Sequence, residues 1–215
     1  MVTVVRQVPD SVSVLTASIP GRESSIVLAA RSVGIQSHPI VQHVIVTRSP
    51  EGPSPVHQAT SLNQALRAVG SEWVAVLDDD NWWLPDHIAV LLDYADDADV
   101  VYSYDRDGNV PRVNCNEWDA DKIRSYLDAE NFIDGGAAIV RTSALRDAGG
   151  FPVEWEGGLL CDGGHYVDSP ANFADWELWR RLAANGSVFR CVPAVTWVYT
   201  TDVADRMQDE IAETE

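Results

Sequence analysis

The chain has 215 residues, 46% hydrophobic and 8% aromatic, with 33 acidic against 15 basic side chains and a formal net charge of -18. That is enough apolar material for one core of ordinary α/β size, and too much for a disordered polymer. So acidic a surface repels nucleic-acid phosphate backbones and anionic lipid, and an anionic substrate would need a metal or local basic groups to be held.

Ser11 to Ala17 carries β-branched residues in alternation and reads as a first strand. Ser18-Ile19-Pro20-Gly21-Arg22 is a turn, after which Ser24 or Ser25 is placed to cap a helix through about Ser37. Val41 to Thr47 is a second strand. The Pro/Gly-rich stretch Ser49 to Pro55 is expected to be irregular, followed by a short helix over Leu62 to Leu66 capped by Thr60 or Ser61. Trp73 to Leu77 is a third strand, and Pro85 suits the first turn of a helix whose apolar positions are Ile88, Leu91 and Leu92.

Val100 to Tyr104 is a fourth strand. A polar stretch with a helix near Asp121 to Leu127 follows, then a buried strand at Ala137 to Val140 and a brief helix capped by Thr142. Phe151 to Phe173 is rich in Gly and aromatic residues without periodicity, the character of a functional loop over a site. Asp175 to Asn185 is a helix closed by Gly186, and two short strands at Val188 to Cys191 and Val195 to Tyr199 close the pattern. Strands alternating with helices predict an α/β fold, a mainly parallel Rossmann-like sheet with helices on both faces in a single domain. Residues 1–200 form that domain and residues 201–215 an acidic tail.

Cys115, Cys161 and Cys191 have no metal-binding or disulfide spacing and are expected to be free thiols. No apolar run approaches the ~20 residues of a membrane span, and the N-terminus lacks a leader pattern, so a cytoplasmic location is expected.

The chemistry concentrates at Leu77-Asp78-Asp79-Asp80-Asn81. Ligands in open α/β sheets bind at the carboxyl ends of strands, where this cluster falls. Three adjacent aspartates repel one another and resist desolvation, and a divalent metal shared with substrate phosphates relieves both. A solvated acidic turn is the alternative, which the apolar Trp82, Trp83 and Pro85 argue against.

Four pieces together resemble a family 2 glycosyltransferase of the GT-A fold, in order across Ser11 to Tyr199. They are VSVLTASIPGR, LDDDNWWLPDHI, GGAAIVRTSALRDAGGF and ADWELWRRL. The resemblance implies a nucleoside-diphosphate sugar donor (a UDP-sugar), a hydroxyl acceptor, Mn2+ or Mg2+, and an inverting outcome. Thr16, Ala17, Ser18, Pro20, Arg22, Asn63, Asp78 and Asp79 would bind the donor. Asp80, with Asp78, would bind the metal, and His165 would be a third ligand or touch the diphosphate. Asp175 would be the general base, and Trp82, Trp83, Trp155, Trp176 and Glu177 would border the sugar or acceptor.

Read without the resemblance, Asp175 is a helix N-cap, and Trp73, Trp179 and Trp197 are core. Thr47-Arg48-Ser49 stands where many members carry an acidic residue that contacts the base, and Ala174 precedes Asp175 where an acid is usual. Arg48 would then meet phosphate or solvent. Two other functions stay open: a non-catalytic nucleotide-sugar binder of the same fold, and a phosphatase with an aspartate nucleophile.

Overall fold

A computed structural model of the chain describes residues 9–47, 54–155, 158–159 and 174–200. Strand β1 (Val12–Ser18) is buried along its whole length. It lies between β2 (Ile40–Thr47) and β3 (Trp73–Val76) and runs parallel to both. Burial on both faces is why its sequence reads as a near-continuous apolar run.

Helix α1 (Glu23–Gly34) follows the turn after β1. Neither Ser24 nor Ser25 caps it: Arg22 holds the cap position and makes no capping bond with its side chain. Glu23, in the first turn, accepts from Gly21 N at 3.1 Å and suits the positive end of the helix. Helix α2 (Ser54–Leu66) begins well before the short helix the sequence predicts. Pro55 falls in its first turn, where the missing N–H costs no intrahelical bond.

The remaining elements are β4 (Trp82–Trp83), α3 (His87–Leu92), β5 (Val100–Asp105), α4 (Ala120–Ala129), a 3-10 turn (Gly135–Ala137), β6 (Ala138–Arg141), α5 (Thr142–Asp147), β7 (Glu154–Trp155), β8 (Gly158–Leu159), α6 (Ala174–Ala184) and β9 (Phe189–Val198). Among the described residues, seven strands form one sheet in the order β2-β1-β3-β6-β5-β9-β4, and β7 pairs with β8 apart from it. β6 runs antiparallel to both of its neighbours, and β4 runs antiparallel to β9. The other five strands share one direction, as a mainly parallel sheet requires.

One strand was not expected from the sequence, and one expectation is corrected. Trp82-Trp83 is a strand, β4, formed where the chain turns back from β3 and pairs with the far edge of the curled sheet. The two closing strands are one, β9, interrupted in register: Tyr102 faces Cys191 while Tyr104 faces Val195, so β9 takes up extra residues around Pro193. A proline inside a strand is tolerated at such a bulge and makes one strand read as two.

Side chains alternate between two cores. Leu15 and Ala17 face α2, α4, α5 and α6, whereas Val12 and Val14 face α1 and α3. Trp73, Trp179 and Trp197 are core, as expected from sequence, and Trp83 joins them. No helix among the described residues is long and apolar enough to cross a membrane. Cys115 and Cys191 are buried free thiols, and Cys161 lies outside the described residues.

One loop is fastened by a donor-binding candidate. Asn63 Nδ2 donates to Phe151 O at 2.7 Å and its Oδ1 accepts from Phe151 N at 2.8 Å. Gly150, at φ +81, brings its backbone so near that an added Cβ would lie 2.4 Å from Asn63 Oδ1. Both ends of the Asn63 amide therefore bond to the chain itself.

Candidate active site

The acidic turn separates its three carboxylates. β3 continues into Leu77, whose N donates to Leu15 O at 3.0 Å, and Asn81 N closes the turn on Asp78 O at 3.3 Å. Asp79 points inward and is 4% exposed; Ser18 Oγ donates to its Oδ2, and Arg22 Nη1 donates to its Oδ1 at 2.7 Å. Asp80 faces outward and accepts from the same Nη1 at 3.1 Å. Asp78 accepts from Gln58 Nε2 at 2.8 Å. Asn81 ties the turn to the end of β9 by accepting from Thr200 N at 2.9 Å.

Two further carboxylates meet this turn. Because β6 is antiparallel, the residues just before it arrive at the sheet end where β3 and β5 finish. Asp134 is there, capping the 3-10 turn by accepting from Gly136 N at 2.7 Å. Asp175, in the first turn of α6, packs against the same glycine pair: a Cβ added to Gly135 would lie 3.7 Å from Asp175 Cβ. Its Oδ2 accepts from Gly135 N at 3.2 Å and from Asn131 Nδ2 at 3.5 Å, and its Oδ1 from Trp176 N at 2.7 Å. Asp175 is thus held from outside its own helix, which is more than a helix cap requires.

Mutual electrostatics give the cluster its character. Burial, then the charges of Asp80, Asp175 and Asp79, push Asp78 up to about 7. Burial, then Asp175 and Asp78, hold Asp134 well above the usual carboxylate range. Burial likewise raises Asp175, against the pull of the N–H groups it accepts from. Burial raises Asp80 too, with Arg22 opposing. The phenol of Tyr199, just past β9, is raised by burial and then by the charges of Asp134, Asp78, Asp80 and Asp175. Asp105, at the end of β5, is 1% exposed; its Oδ2 accepts from Asn109 N at 2.8 Å, and its Oδ1 has no hydrogen-bond partner among the described residues.

The other predicted residues divide clearly. Thr16 and Ser18 are 1% exposed, with hydroxyls engaged by His43 and Asp79, so their side chains serve the interior rather than a nucleotide. Ala17 is buried with them, whereas Pro20 and Arg22 are exposed at the rim. Trp83 is 1% exposed, stacks on His87 at 4.6 Å and donates from Nε1 to Gly136 O at 2.8 Å, which removes it from any acceptor surface. Trp82 is half-buried. Trp176 donates to Leu127 O at 2.6 Å, and Glu177 pairs with Arg180 and Arg181 at 3.2 and 2.9 Å. Arg48, His165 and the side chain of Trp155 lie outside the described residues, as does most of the expected loop from Phe151 to Phe173.

Residues 42–148 match the family profile described as glycosyl transferase family 2. The chain carries a family 2 glycosyltransferase domain. TarS of S. aureus, as the 1-349 fragment in complex with UDP-GlcNAc, superposes with TM-score 0.61 at 15% identity, over 92% of this chain and 60% of that one. A mannosyltransferase of Pyrobaculum calidifontis, in complex with GDP-Man and Mn2+, superposes with TM-score 0.58 at 18% identity, over 94% and 60%. A Drosophila β-1,4-galactosyltransferase 7 mutant, in complex with manganese, UDP-Gal and xylobiose, gives 0.56 at 14%, over 89% and 71%. The likeness at these identities is one of fold. This chain spans 37% of the longer TarS structure and 60% of its 1-349 fragment. No curated protein sequence matches the chain.

Among the described residues, no three Asp, Glu, His or Cys side chains converge closely enough to hold a metal ion by themselves. The donor set nevertheless fits a hard divalent cation: carboxylate oxygens, crowded and partly desolvated, with Arg22 as their paired cation. Asp80 is the accessible member, and magnesium or manganese takes one or two carboxylates and completes its shell with phosphate and water oxygens.

Sequence reasoning missed Gln58, Asp105, Asn131, Asp134 and Tyr199. For Asp134 a signal was present, since an aspartate directly before Gly-Gly and a buried strand is a turn-forming residue at a strand end.

Proposed function

We propose that the domain transfers a sugar from a nucleoside-diphosphate sugar, of the UDP class, to a hydroxyl acceptor with inversion. The observation that carries the reading is the convergence of Asp175 and Asp134, from distant parts of the chain, on the acidic turn that ends β3. Related folds crystallised with UDP-GlcNAc, GDP-Man and UDP-Gal support the donor class, and two of them were crystallised with manganese.

Asp175 is the general base. It must take the acceptor proton as the hydroxyl oxygen attacks the anomeric carbon, and burial raises its affinity for that proton. Its bonds to Gly135 N, Asn131 and Trp176 N fix the carboxylate before substrate arrives, which limits the reorganisation needed during transfer. Asp80, with Asp78 beside it, holds Mn2+ or Mg2+. When bound, that cation supplies the positive charge that stabilises the departing diphosphate. Asp78 serves the donor side of the turn, and Asp79, pointing inward, serves it by fixing Arg22 and Ser18. Pro20 and Arg22 form the exposed rim for the nucleotide, and Trp82 with Trp176 borders the acceptor. The reading takes residues 1–200 as the catalytic unit, working in the cytoplasm, where the thiols of Cys115 and Cys191 stay reduced.

The test is release of nucleoside diphosphate from a panel of UDP- and GDP-sugars with candidate hydroxyl acceptors, in manganese or in EDTA. Metal-dependent release with one donor class is expected. Donor binding without turnover would make the domain a sugar-nucleotide binder, and hydrolysis of a generic phosphate ester would make it a phosphatase.

A further inference from the structure

Arg22 makes an unusual double contact. A single nitrogen, Nη1, donates to Asp79 at 2.7 Å and to Asp80 at 3.1 Å. The two ends of this bridge are unequal. The Asp79 side chain is 5% exposed and is also held by Ser18, whereas the Asp80 side chain is 27% exposed and the Arg22 side chain 44%. The Asp79 contact is therefore the anchor. The Asp80 contact is longer, open to water and weak, as ion pairs in contact with solvent are.

The guanidinium also stands where a cation bound by Asp80 would exert its charge. Arg22 occupies only Oδ2 of Asp80, but a divalent ion on that carboxylate would still stand within a few ångströms of the guanidinium, and the repulsion between the two cations weakens the Arg22 contact. Resting on the metal site proposed above, we propose that Arg22 is an exchangeable counter-ion: it holds Asp80 while no divalent ion is present, then yields that carboxylate to the ion while staying fixed on Asp79. This keeps the crowded turn compact before loading, and it sets a threshold for metal binding that a donor diphosphate, arriving with its own negative charge, lowers. Arg22 is a positioning residue in this scheme, acting through Asp80.

Mn2+ binding to the donor-free protein tests it, followed by electron paramagnetic resonance of the free ion. Arg22→Gln removes the competitor and is expected to bind Mn2+ roughly fivefold tighter than wild type, a modest factor because the pair is partly exposed. Asp80→Ala is expected to lose the site. Equal or weaker Mn2+ binding by a folded Arg22→Gln protein, with wild type binding normally, would overturn the exchange and leave the metal site standing. Absence of Mn2+ binding in both proteins would remove the exchange together with the metal site itself. A second reading needs no variant: Mg2+ added to wild type should shift the 15N resonance of Arg22 Nε, identified by its disappearance in Arg22→Lys. An unmoved resonance at saturating Mg2+ would equally end the proposal.

Discussion

At the end of the sheet where β3, β5 and β9 begin, three acidic side chains near the strands meet two arginines. Glu72 pairs with Arg141, Asp99 lies 3.7 Å from the same guanidinium, and Asp97 pairs with Arg190 at 2.6 Å. Asp99 also accepts from Val188 N at 2.9 Å, and Arg141 lies over the Trp73 ring at 4.4 Å. At the other end, Asp78, Asp79, Asp80, Asp134 and Asp175 crowd together, and among the described residues Arg22 is the cation paired with any of them. Both ends belong to one sheet and use the same residue types. One gives each of these three carboxylates a guanidinium to face; the other keeps five carboxylates against one guanidinium in a partly dry place, where stability alone would select against it. The imbalance is a cost that a bound cation and a developing positive charge on substrate can offset.

The comparison breaks most directly at Asp175. Replacing it with Asn keeps the shape and removes the proton acceptor, so transfer should fall by roughly 10²–10⁴, the usual worth of a general base. Donor binding, measured by calorimetry, should persist. Unchanged turnover would mean that the crowded end is not organised around proton removal.

A smaller effect, in stability, comes from Asp78. Its folded value of about 7 lies above the ordinary 3.8, because burial and neighbouring carboxylates disfavour the charged form. A raised value means that the folded protein holds this proton more tightly than the unfolded chain. The resulting stability is fully present below pH 3.8 and is lost as pH rises through 7. Asp78→Asn does not titrate and can still accept from Gln58. In metal-free buffer it should therefore gain on wild type as pH climbs from 4 to 8, by on the order of 2–4 kcal/mol. Urea melts at a series of pH values read this directly, and a pH-independent difference would contradict the crowding.

The unbalanced end was only half legible in the sequence. The apolar run into Asp78-Asp79-Asp80 could be read because strand periodicity stops abruptly at a charged cluster, and Asp175 was found through the motif around it. Asp134 escaped because a mainly parallel sheet puts residues that precede a strand at the opposite end; the antiparallel insertion of β6 reverses that, and strand direction leaves no mark in local periodicity. Tyr199 escaped for a related reason: the end of the last strand was read to within one residue, but that this strand lies beside β5 and so ends near the acidic turn leaves no mark in local periodicity. Burial was the other blind spot. Thr16, Ser18 and Trp83 are residue types that line sites, but whether a side chain faces in or out depends on which strands flank it.

The balanced end supplies the control, and the smallest effect. Arg141 donates to Ala95 O and Ala98 O as well as to Glu72, so Arg141→Gln strands two carboxylates and two carbonyls at once. Its side chain is 26% exposed, so water can re-solvate part of what is lost, and the cost should be about 1–3 kcal/mol. Transfer rate and Mn2+ affinity should stay at the wild-type level, because nothing at this end touches the acidic turn except through the length of β3. If the variant instead lost activity at temperatures where it remains folded, the two ends would be coupled through that strand, and the division between a balanced end and a reactive end would have to be abandoned.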